Sequence, residues 1–356
     1  MLSRHFLRSK VLQMVYADKV DPNDILVVER NFKHYITSFN ELGTTQLSSL
    51  FHFLEVAEVM MDEAKHKFIP TEADLNPNTR MLNNRLICRM RDNYDLRRQC
   101  EDAKVNWGGV EYDEMFRQAY SGLVRQPMYQ EYLASKKSFK NDQEFALNLF
   151  KYLMNYAPLC ESLYSESLFW EDDFDQIAQY NYKMLKSLDE NFDESSPFYL
   201  MCDERDPSDR EAYDFARMLL LTAIRHSDEV EAMIRKNLQG WEFDRVAEMD
   251  ILLLNMAVAE LTDCPSIPEK VTIDEYIELS KEFSSERSKL FINGILGKIL
   301  LELRSQGRIK KSGRGLGLAT KEEKKDETEI ETPTATEEKE APVVKVRKSR
   351  PRIKNG

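Results

Sequence analysis

The chain has 356 residues, of which 42% are hydrophobic, and a formal net charge of −12. This length allows two or three domains at roughly 150 residues each, and the acidic balance excludes a broadly basic nucleic-acid surface, so any RNA contact has to come from a local patch. The five cysteines form no C-x-x-C pair, and no apolar run approaches the ~20 residues that span a bilayer. We therefore expect a protein of the reducing cytoplasm, with no membrane segment, disulfide framework or zinc site.

Residues 3–17 predict an amphipathic first helix, with a buried stripe that includes Leu7 and Val11. Arg4 and Arg8 lie one turn apart beside that stripe, and Tyr16 ends the same row. Two arginines at this spacing can contact successive phosphates, while a tyrosine ring can stack on an unpaired base. Taken alone, the same pattern is also typical of a solvated amphipathic helix.

A long helical region is predicted from about 24 to 205. Its clearest pattern is an alternation of apolar residues at spacings of three and four, which is typical of coiled-coil-like packing: Leu47, Leu50, Leu54, Ala57, Met61, Ala64 and Phe68. This stripe is either the core of the region or a self-association surface. The arginine-rich stretch 80–98 also contains Asp92 and Asp95, which favours internal ion pairing over an RNA path. Acidic residues at 171–175 predict a solvated helix start, because the glycine and carbonyl pattern of a calcium loop is missing.

The segment 206–307 predicts a compact helical core. Ser227 and Asp244 are candidate caps for two of its helices, and Thr272 begins the sequence of a capping box. Ser285 is the candidate cap of the last helix. Within that helix, Gly294 costs about 1 kcal/mol relative to alanine, a cost that predicts another backbone packed against it.

Residues 308–356 contain no aromatic residue and mix Lys, Glu, Thr and Pro, the composition of a disordered tail. Its basic segment 345–354 has no acidic residue, and we expect it to add non-specific RNA affinity.

Enzyme signatures are missing from the sequence. The five histidines are scattered, with no H-E-x-x-H pattern and no partner at metal-ligand spacing. The stretch Gly294–Lys298 is too short for a phosphate-binding loop and lies inside a predicted helix. We therefore expect a binding protein that is not an enzyme and needs no metal or cofactor.

Three groups of residues together resemble the NusB family of bacterial transcription antitermination factors. In the C-terminal pair of helices the matching residues are Pro268, Lys270, Val271, Ile273, Glu275, Ile277, Glu278, Leu279, Lys281, Phe283, Ser288, Phe291, Asn293, Gly294 and Leu296. In the preceding helix they are Asp250, Leu253, Leu254, Ala257, Glu260 and Leu261, and in the first helix Arg4, Arg8, Gln13 and Tyr16. The resemblance covers 1–17 and 211–303, two pieces separated by a segment unlike the family's usual short connection.

The resemblance implies an all-α fold in which a pair of small helical bundles is enlarged by a helical insertion. The expected organisation is the first helix of the core in 1–20, the insertion in 21–205, the rest of the core in 206–307 and the disordered tail in 308–356. His5 and Phe6 stand where family members often have arginine, which thins the basic patch. Arg287 adds a positive charge near the start of the last helix.

By resemblance, the protein would bind a boxA-like single-stranded RNA jointly with the small-subunit ribosomal protein NusE, within an RNA polymerase antitermination complex. The implied RNA contacts are Arg4, Arg8, Tyr16, Lys289 and Phe291, and Asp250 matches a position on the partner surface. A homodimer stays open. So does a helical interaction scaffold without specific RNA binding. A methyltransferase is disfavoured, because the residues after 310 are of low complexity and hold no cofactor domain.

Overall fold

The computed structural model describes residues 3–199, 206–238 and 242–312, and in these ranges the chain forms fifteen α-helices and no strand. The predicted all-α fold is confirmed. The helices are α1 (Arg4–Val20), α2 (Ile25–Lys65), α3 (Glu72–Leu75), α4 (Arg85–Asp92), α5 (Tyr94–Asp102), α6 (Val110–Leu123), α7 (Pro127–Ala134), α8 (Phe139–Leu153), α9 (Ala157–Glu166), α10 (Leu168–Ser187), α11 (Pro207–Arg225), α12 (Ser227–Asn237), α13 (Glu248–Asp263), α14 (Glu269–Phe283) and α15 (Ser288–Ser305). None of the helices in the described part is long and apolar enough to cross a membrane.

Helix α2 is the longest element, with 41 residues, and it organises the region between α1 and α11. The predicted apolar stripe is buried from Leu47 to Met61, where α2 packs against α5, α6, α8 and α10. The stripe is therefore core rather than a self-association surface. Its last predicted member, Phe68, lies beyond the end of the helix and is fully exposed, so the prediction was wrong for that residue.

Helix α1 packs on the C-terminal helices although the whole of α2–α10 separates them in sequence. Ser3 caps it by accepting a hydrogen bond from the backbone N–H of Phe6 at 3.1 Å. Its apolar face contacts α11 most extensively, then α13 and α14. The core formed by α1 and α11–α15 is centred on α13, whose residues from Leu252 to Leu261 are all buried.

The arginines between 80 and 98 make internal contacts, as the interleaved acidic residues suggested. Arg80 is buried and donates to the backbone carbonyl groups of Ser135 and Lys136. Arg85 pairs with Asp142 at 2.7 Å, and α4 thereby joins α8. These side chains help to hold the region between α1 and α11 together.

Asp173 corrects the predicted solvated helix start at 171–175. It is fully buried, pairs with Lys10 and accepts a hydrogen bond from the hydroxyl of Tyr35 at 3.2 Å. Burial of the Tyr35 hydroxyl, together with the nearby charge of Asp173, raises the pKa of Tyr35 above its ordinary value. This cluster joins α10 to α1 and α2.

The predicted caps of the C-terminal helices were wrong at all four positions. Ser227 is the first residue of α12 and makes no capping hydrogen bond. Helix α14 begins at Glu269 after Pro268, so Thr272 lies inside the helix. Helix α13 begins at Glu248, after a separate 3-10 turn that contains Asp244. Helix α15 begins at Ser288, where Ser285 makes no capping hydrogen bond to its first turn.

The expectation of a backbone packed against Gly294 was also wrong. Within the described part of the chain, a methyl group built on Gly294 would meet no heavy atom within 4 Å outside its own helix. Gly294 faces the exterior. The part of the predicted disordered tail beyond residue 312, with its basic segment 345–354, lies outside the described residues.

Candidate RNA and partner interface

Arg8 lies at the centre of a buried ionic cluster between α1, α13 and α14. Its side chain is 1% exposed, and its guanidinium donates two hydrogen bonds of 2.7 Å to the two carboxylate oxygens of Glu260. Glu260 is fully buried and also accepts from the hydroxyl of Thr272 at 2.9 Å and of Tyr276 at 3.3 Å. Four donors thus satisfy one buried carboxylate, and an oxygen of Glu275 lies 3.2 Å from Arg8 on the other side.

This cluster determines how Arg8 can act. A side chain that is almost completely buried in a bidentate ion pair does not present its guanidinium to a phosphate in solution. Burial and the negative charge of Glu260 raise the pKa of Tyr276 well above its ordinary value, so Tyr276 stays a neutral donor. The sequence signal for the cluster was Glu260 itself, a carboxylate within an otherwise apolar helix that needs a partner.

Arg4 and His5 lie at the exposed start of α1, among acidic residues. The guanidinium of Arg4 lies 2.6 Å from a carboxylate oxygen of Glu211 on α11. His5 has its Nδ1 atom 3.0 Å from Glu275 and its Nε2 atom 3.0 Å from Glu282, both on α14. Burial lowers the pKa of His5, but its hydrogen bonds to these two carboxylates more than offset this, so the pKa is raised above 6.5.

Tyr16 lies at the opposite end of α1 and is 42% exposed. Twelve residues separate it from Arg4, which places them about 18 Å apart along the helix axis. The predicted row on α1 is therefore exposed only at its two ends, with the buried Arg8 between them.

The first turn of α15 carries Lys289 and Phe291. Lys289 is half-buried, with its ammonium nitrogen 3.9 Å from a carboxylate oxygen of Glu286, and Phe291 is partly buried against the core.

Asp250, the predicted partner residue, is buried and accepts a hydrogen bond of 2.6 Å from the hydroxyl of Ser284. It thereby fixes the connection between α14 and α15 instead of forming part of the surface.

A groove of about 320 Å³ runs between the end of α12 and the first half of α15. Its lining includes Leu238, Arg287, Leu290, Phe291, Gly294 and Lys298. The absence of a side chain at Gly294 leaves the groove open. Cationic side chains at Arg287 and Lys298 therefore border an apolar and aromatic floor, a composition that suits an anionic ligand with flat apolar groups. Sequence reasoning missed Leu238 and Lys298, because they become neighbours only through the packing of α12 on α15.

The structure brings His5 to the end of α14 that precedes α15, places Arg4 against Glu211 of α11 and leaves Tyr16 apart. His5 contacts Glu282, one residue before α14 ends at Phe283, and α15 begins soon afterwards. The start of α1 and the start of α15 thus flank that end of α14.

The described residues thus form an all-α protein of the helical-bundle class, with a small groove between α12 and α15. The sequence model described as "NusB family" matches residues 174–301. Three proteins named "Transcription antitermination protein NusB" are similar to this chain: 42% identity over 122 residues in Salinibacter ruber, 37% over 109 in Chloroherpeton thalassium and 39% over 87 in Finegoldia magna. The matched segments span 74%, 52% and 64% of those proteins and 34%, 31% and 24% of this chain.

The chain belongs to the NusB family. The matched segment begins at residue 174, inside α10, upstream of the predicted core boundary at 206. The four-part division of the chain stays a prediction.

Proposed function

We propose that this protein is a transcription antitermination factor that binds boxA-like single-stranded RNA together with a NusE-type ribosomal protein, within an antitermination complex of RNA polymerase. The observation that carries the RNA part is the groove on α15, where Phe291 lies between Arg287 and Lys298. The names of the relatives support the antitermination part.

The groove suits unpaired RNA for physical reasons. A base that stacks on an aromatic side chain contributes about 1–3 kcal/mol, and each neutralised phosphate adds a salt-dependent increment. The patch is small and its surroundings are acidic, so its affinity alone is modest. Binding RNA and a partner protein together raises the effective concentration of each for the other, which makes up for the small patch.

The predicted contact residues take different roles in this proposal. Arg4 at the start of α1 and Lys289 and Phe291 at the start of α15 contact the RNA, and Tyr16 extends the path to the far end of α1. Arg8 is revised from a phosphate contact to a positioning residue, because its guanidinium is buried against Glu260.

Asp250 is revised in the same way. Its carboxylate is hydrogen-bonded to Ser284, so it acts on a partner by shaping the turn between α14 and α15.

Single substitutions in a salt-dependent RNA titration test the RNA site. Lys298→Ala, which removes a cation that lines the groove, should weaken binding and reduce the slope of log K against log salt by about 0.7, the value for one phosphate of a single strand. Phe291→Ala should weaken binding without changing the slope, since stacking releases no counterion. Arg98→Ala is the matched control: Arg98 is an exposed arginine on α5 that pairs with Asp95, and its loss should change neither quantity. Equal effects of all three substitutions would show that the groove is not the site.

The alternative function, a helical interaction scaffold, has its own supporting observation. Phe68 is fully exposed and Ile69 is 79% exposed at the end of α2, where the nearby charges of Lys67 and Asp74 neutralise each other. A neutral, apolar tip on the insertion suits contact with another protein. Under this alternative, Phe68→Ser would weaken partner capture while Phe291→Ala would have no effect.

A further inference from the structure

A second groove, of about 430 Å³, lies where the start of α8 meets the end of α10. Its lining includes Phe139, Lys140, Gln143 and Lys186. The side-chain amide of Gln143 joins the two helices, because it donates hydrogen bonds of 2.6 to 3.2 Å to three backbone carbonyl groups in the last turn of α10 and just after it. This contact holds Lys186 of α10 beside Lys140 of α8.

Six cationic residues lie in this groove or next to it. Five are exposed lysines. The sixth is Arg89 of α4, whose guanidinium lies 5.7 Å from the centroid of the Phe139 ring and donates hydrogen bonds to two backbone carbonyl groups. Within the described part of the chain, none of the six forms an ion pair with a carboxylate. We call this group the α8 basic face, and its lysines are Lys136, Lys137, Lys140, Lys183 and Lys186.

The buried Arg80 fixes the loop that carries two of these lysines. Its guanidinium donates to the backbone carbonyl groups of Ser135 and Lys136, in the connection between α7 and α8, and lies 4.3 Å from the centroid of the Tyr132 ring. The side chains of Lys136 and Lys137 stay exposed. Because the loop backbone is already ordered, a ligand that contacts these lysines has less conformational entropy to remove.

Acidic residues are fewer than cationic ones around this groove. Asp142, in the first turn of α8, is buried and pairs with Arg85 at 2.7 Å and with Arg80 at 3.9 Å, so its charge is matched within the fold. The exposed acidic residues nearby are Glu144, Asp189 and Glu190. The unpaired cations outnumber these carboxylates, which leaves a positive surface on a chain whose net charge is −12.

The chemistry of the α8 basic face indicates the kind of ligand. Unpaired cations attract a polyanion, and an acidic peptide would satisfy the lysines alone. Phe139 adds an aromatic ring beside Arg89 and Lys140, on which a nucleobase can stack. Single-stranded RNA supplies both phosphates and unstacked bases, whereas an acidic peptide supplies only the charge.

We propose that the α8 basic face is a second surface for single-stranded RNA, and that it binds independently of base sequence. Apart from Lys183 and Lys186, its residues lie upstream of the segment 174–301 that matches the NusB family. The proposal goes beyond the proposed function, because its ligand is any single-stranded RNA, including the RNA that flanks a boxA-like element. Contact at two surfaces raises the effective concentration of the RNA at each of them.

Titration of the full chain with oligouridylate, across a series of salt concentrations, tests the proposal. The double substitution Lys140→Gln with Lys186→Gln should reduce the slope of log K against log salt by about 1.4, twice the value for one phosphate of a single strand. It should also weaken binding at least ~10-fold at 0.1 M salt. Both lysines are exposed, so the circular dichroism spectrum should not change.

Lys65→Gln with Lys67→Gln is the matched control. It removes the same charge from two exposed lysines that are each paired with an aspartate, and it should change neither the affinity nor the slope. The basic segment 345–354 is present in every variant, so its contribution is the same throughout. A wild-type chain that does not bind oligouridylate, or equal effects of the two double substitutions, would overturn the proposal.

Phe139→Leu distinguishes RNA from an acidic peptide as the ligand. Leucine keeps an apolar side chain at this position but removes the stacking ring, so oligouridylate should bind several-fold more weakly with an unchanged salt slope. Binding of polyglutamate, a polyanion without bases, should not respond to this substitution. If Phe139→Leu leaves oligouridylate binding unchanged and the lysine substitutions weaken only polyglutamate binding, the face binds an acidic protein and the RNA proposal is wrong.

A failure of this proposal can be told apart from a failure of the proposed function. Preference for a boxA-like RNA over a scrambled one should depend on Phe291 in the α15 groove, and not on Lys140 or Lys186. A chain without this preference that still binds oligouridylate through the two lysines would refute only the proposed function. A chain with the preference whose oligouridylate binding is insensitive to the two lysines would refute only the second surface.

Discussion

Replacing Arg8 by alanine should destabilise the protein strongly and leave its RNA contacts intact. The substitution removes both 2.7 Å hydrogen bonds to Glu260 and the contact of the guanidinium with the ring of Phe215, whose centroid lies 5.2 Å away. Glu260 keeps only the hydroxyl groups of Thr272 and Tyr276 as donors. Its carboxylate is then buried without a counter-charge.

The expected magnitude follows from the burial of both partners. Removing one partner of a buried ion pair costs about 3–5 kcal/mol, mostly because the other charge stays buried and unpaired. Replacing both, as in Arg8→Met with Glu260→Leu, should be less destabilising than Arg8→Ala, since no charge is left behind. By contrast, Arg4 is an exposed surface partner of Glu211, and Arg4→Ala should cost at most about 1 kcal/mol.

Urea unfolding monitored by circular dichroism gives these free energies of unfolding, and the RNA titration gives the functional comparison. If Arg8→Ala does not fold, Arg8→Lys keeps the charge but loses the bidentate geometry, and it should still be less stable than the wild type. The reasoning is refuted if Arg8→Ala costs less than about 1 kcal/mol and reduces the salt slope of RNA binding. That outcome would place the guanidinium at the surface.

Three further predictions concern His5, Asp250 and Gly294. The pKa of His5 is raised above 6.5 in the folded state. The contribution of His5 to the free energy of unfolding is therefore complete at pH values below 6.5 and is lost as the pH rises through the folded pKa. His5→Gln should remove this pH dependence from a plot of the free energy of unfolding against pH. Asp250→Ala removes the hydrogen bond from Ser284 and should cost about 1–3 kcal/mol in urea unfolding; a value near zero would mean that the α14–α15 turn does not need it. Gly294→Ala should raise the protein's unfolding free energy by up to about 1 kcal/mol, and a loss of stability would reveal an unseen contact at that position.

The sequence was sufficient to predict the helical fold because helical periodicity is a local property. The stripe from Leu47 to Met61 was recognisable from its spacing, and burial confirmed it. The sequence was not sufficient to predict the role of Thr272. Threonine is the right residue type for a capping box, but Thr272 lies inside α14 and does not cap it. Its hydroxyl instead binds Glu260 on another helix, a tertiary contact that no local pattern encodes.

The site residues show the same division between local and tertiary information. The spacing of Arg4 and Arg8 correctly places both residues on one side of α1. Whether each side chain is exposed depends on which other helices pack against that side. Glu260 lies 252 residues after Arg8, so nothing near Arg8 in sequence indicates that it is buried. Similarly, Gly294 predicted the close approach of another backbone, but no element in the described part of this chain makes that approach.

Binding of a boxA-like single-stranded RNA, measured with and without the NusE-type partner across a series of salt concentrations, tests the proposed function most directly. The account predicts that the partner tightens RNA binding, that the boxA-like sequence is preferred over a scrambled one, and that Phe291→Ala removes most of this preference. Weak, unselective RNA binding that the partner does not change would contradict the account and leave this NusB-family chain as a protein-interaction module.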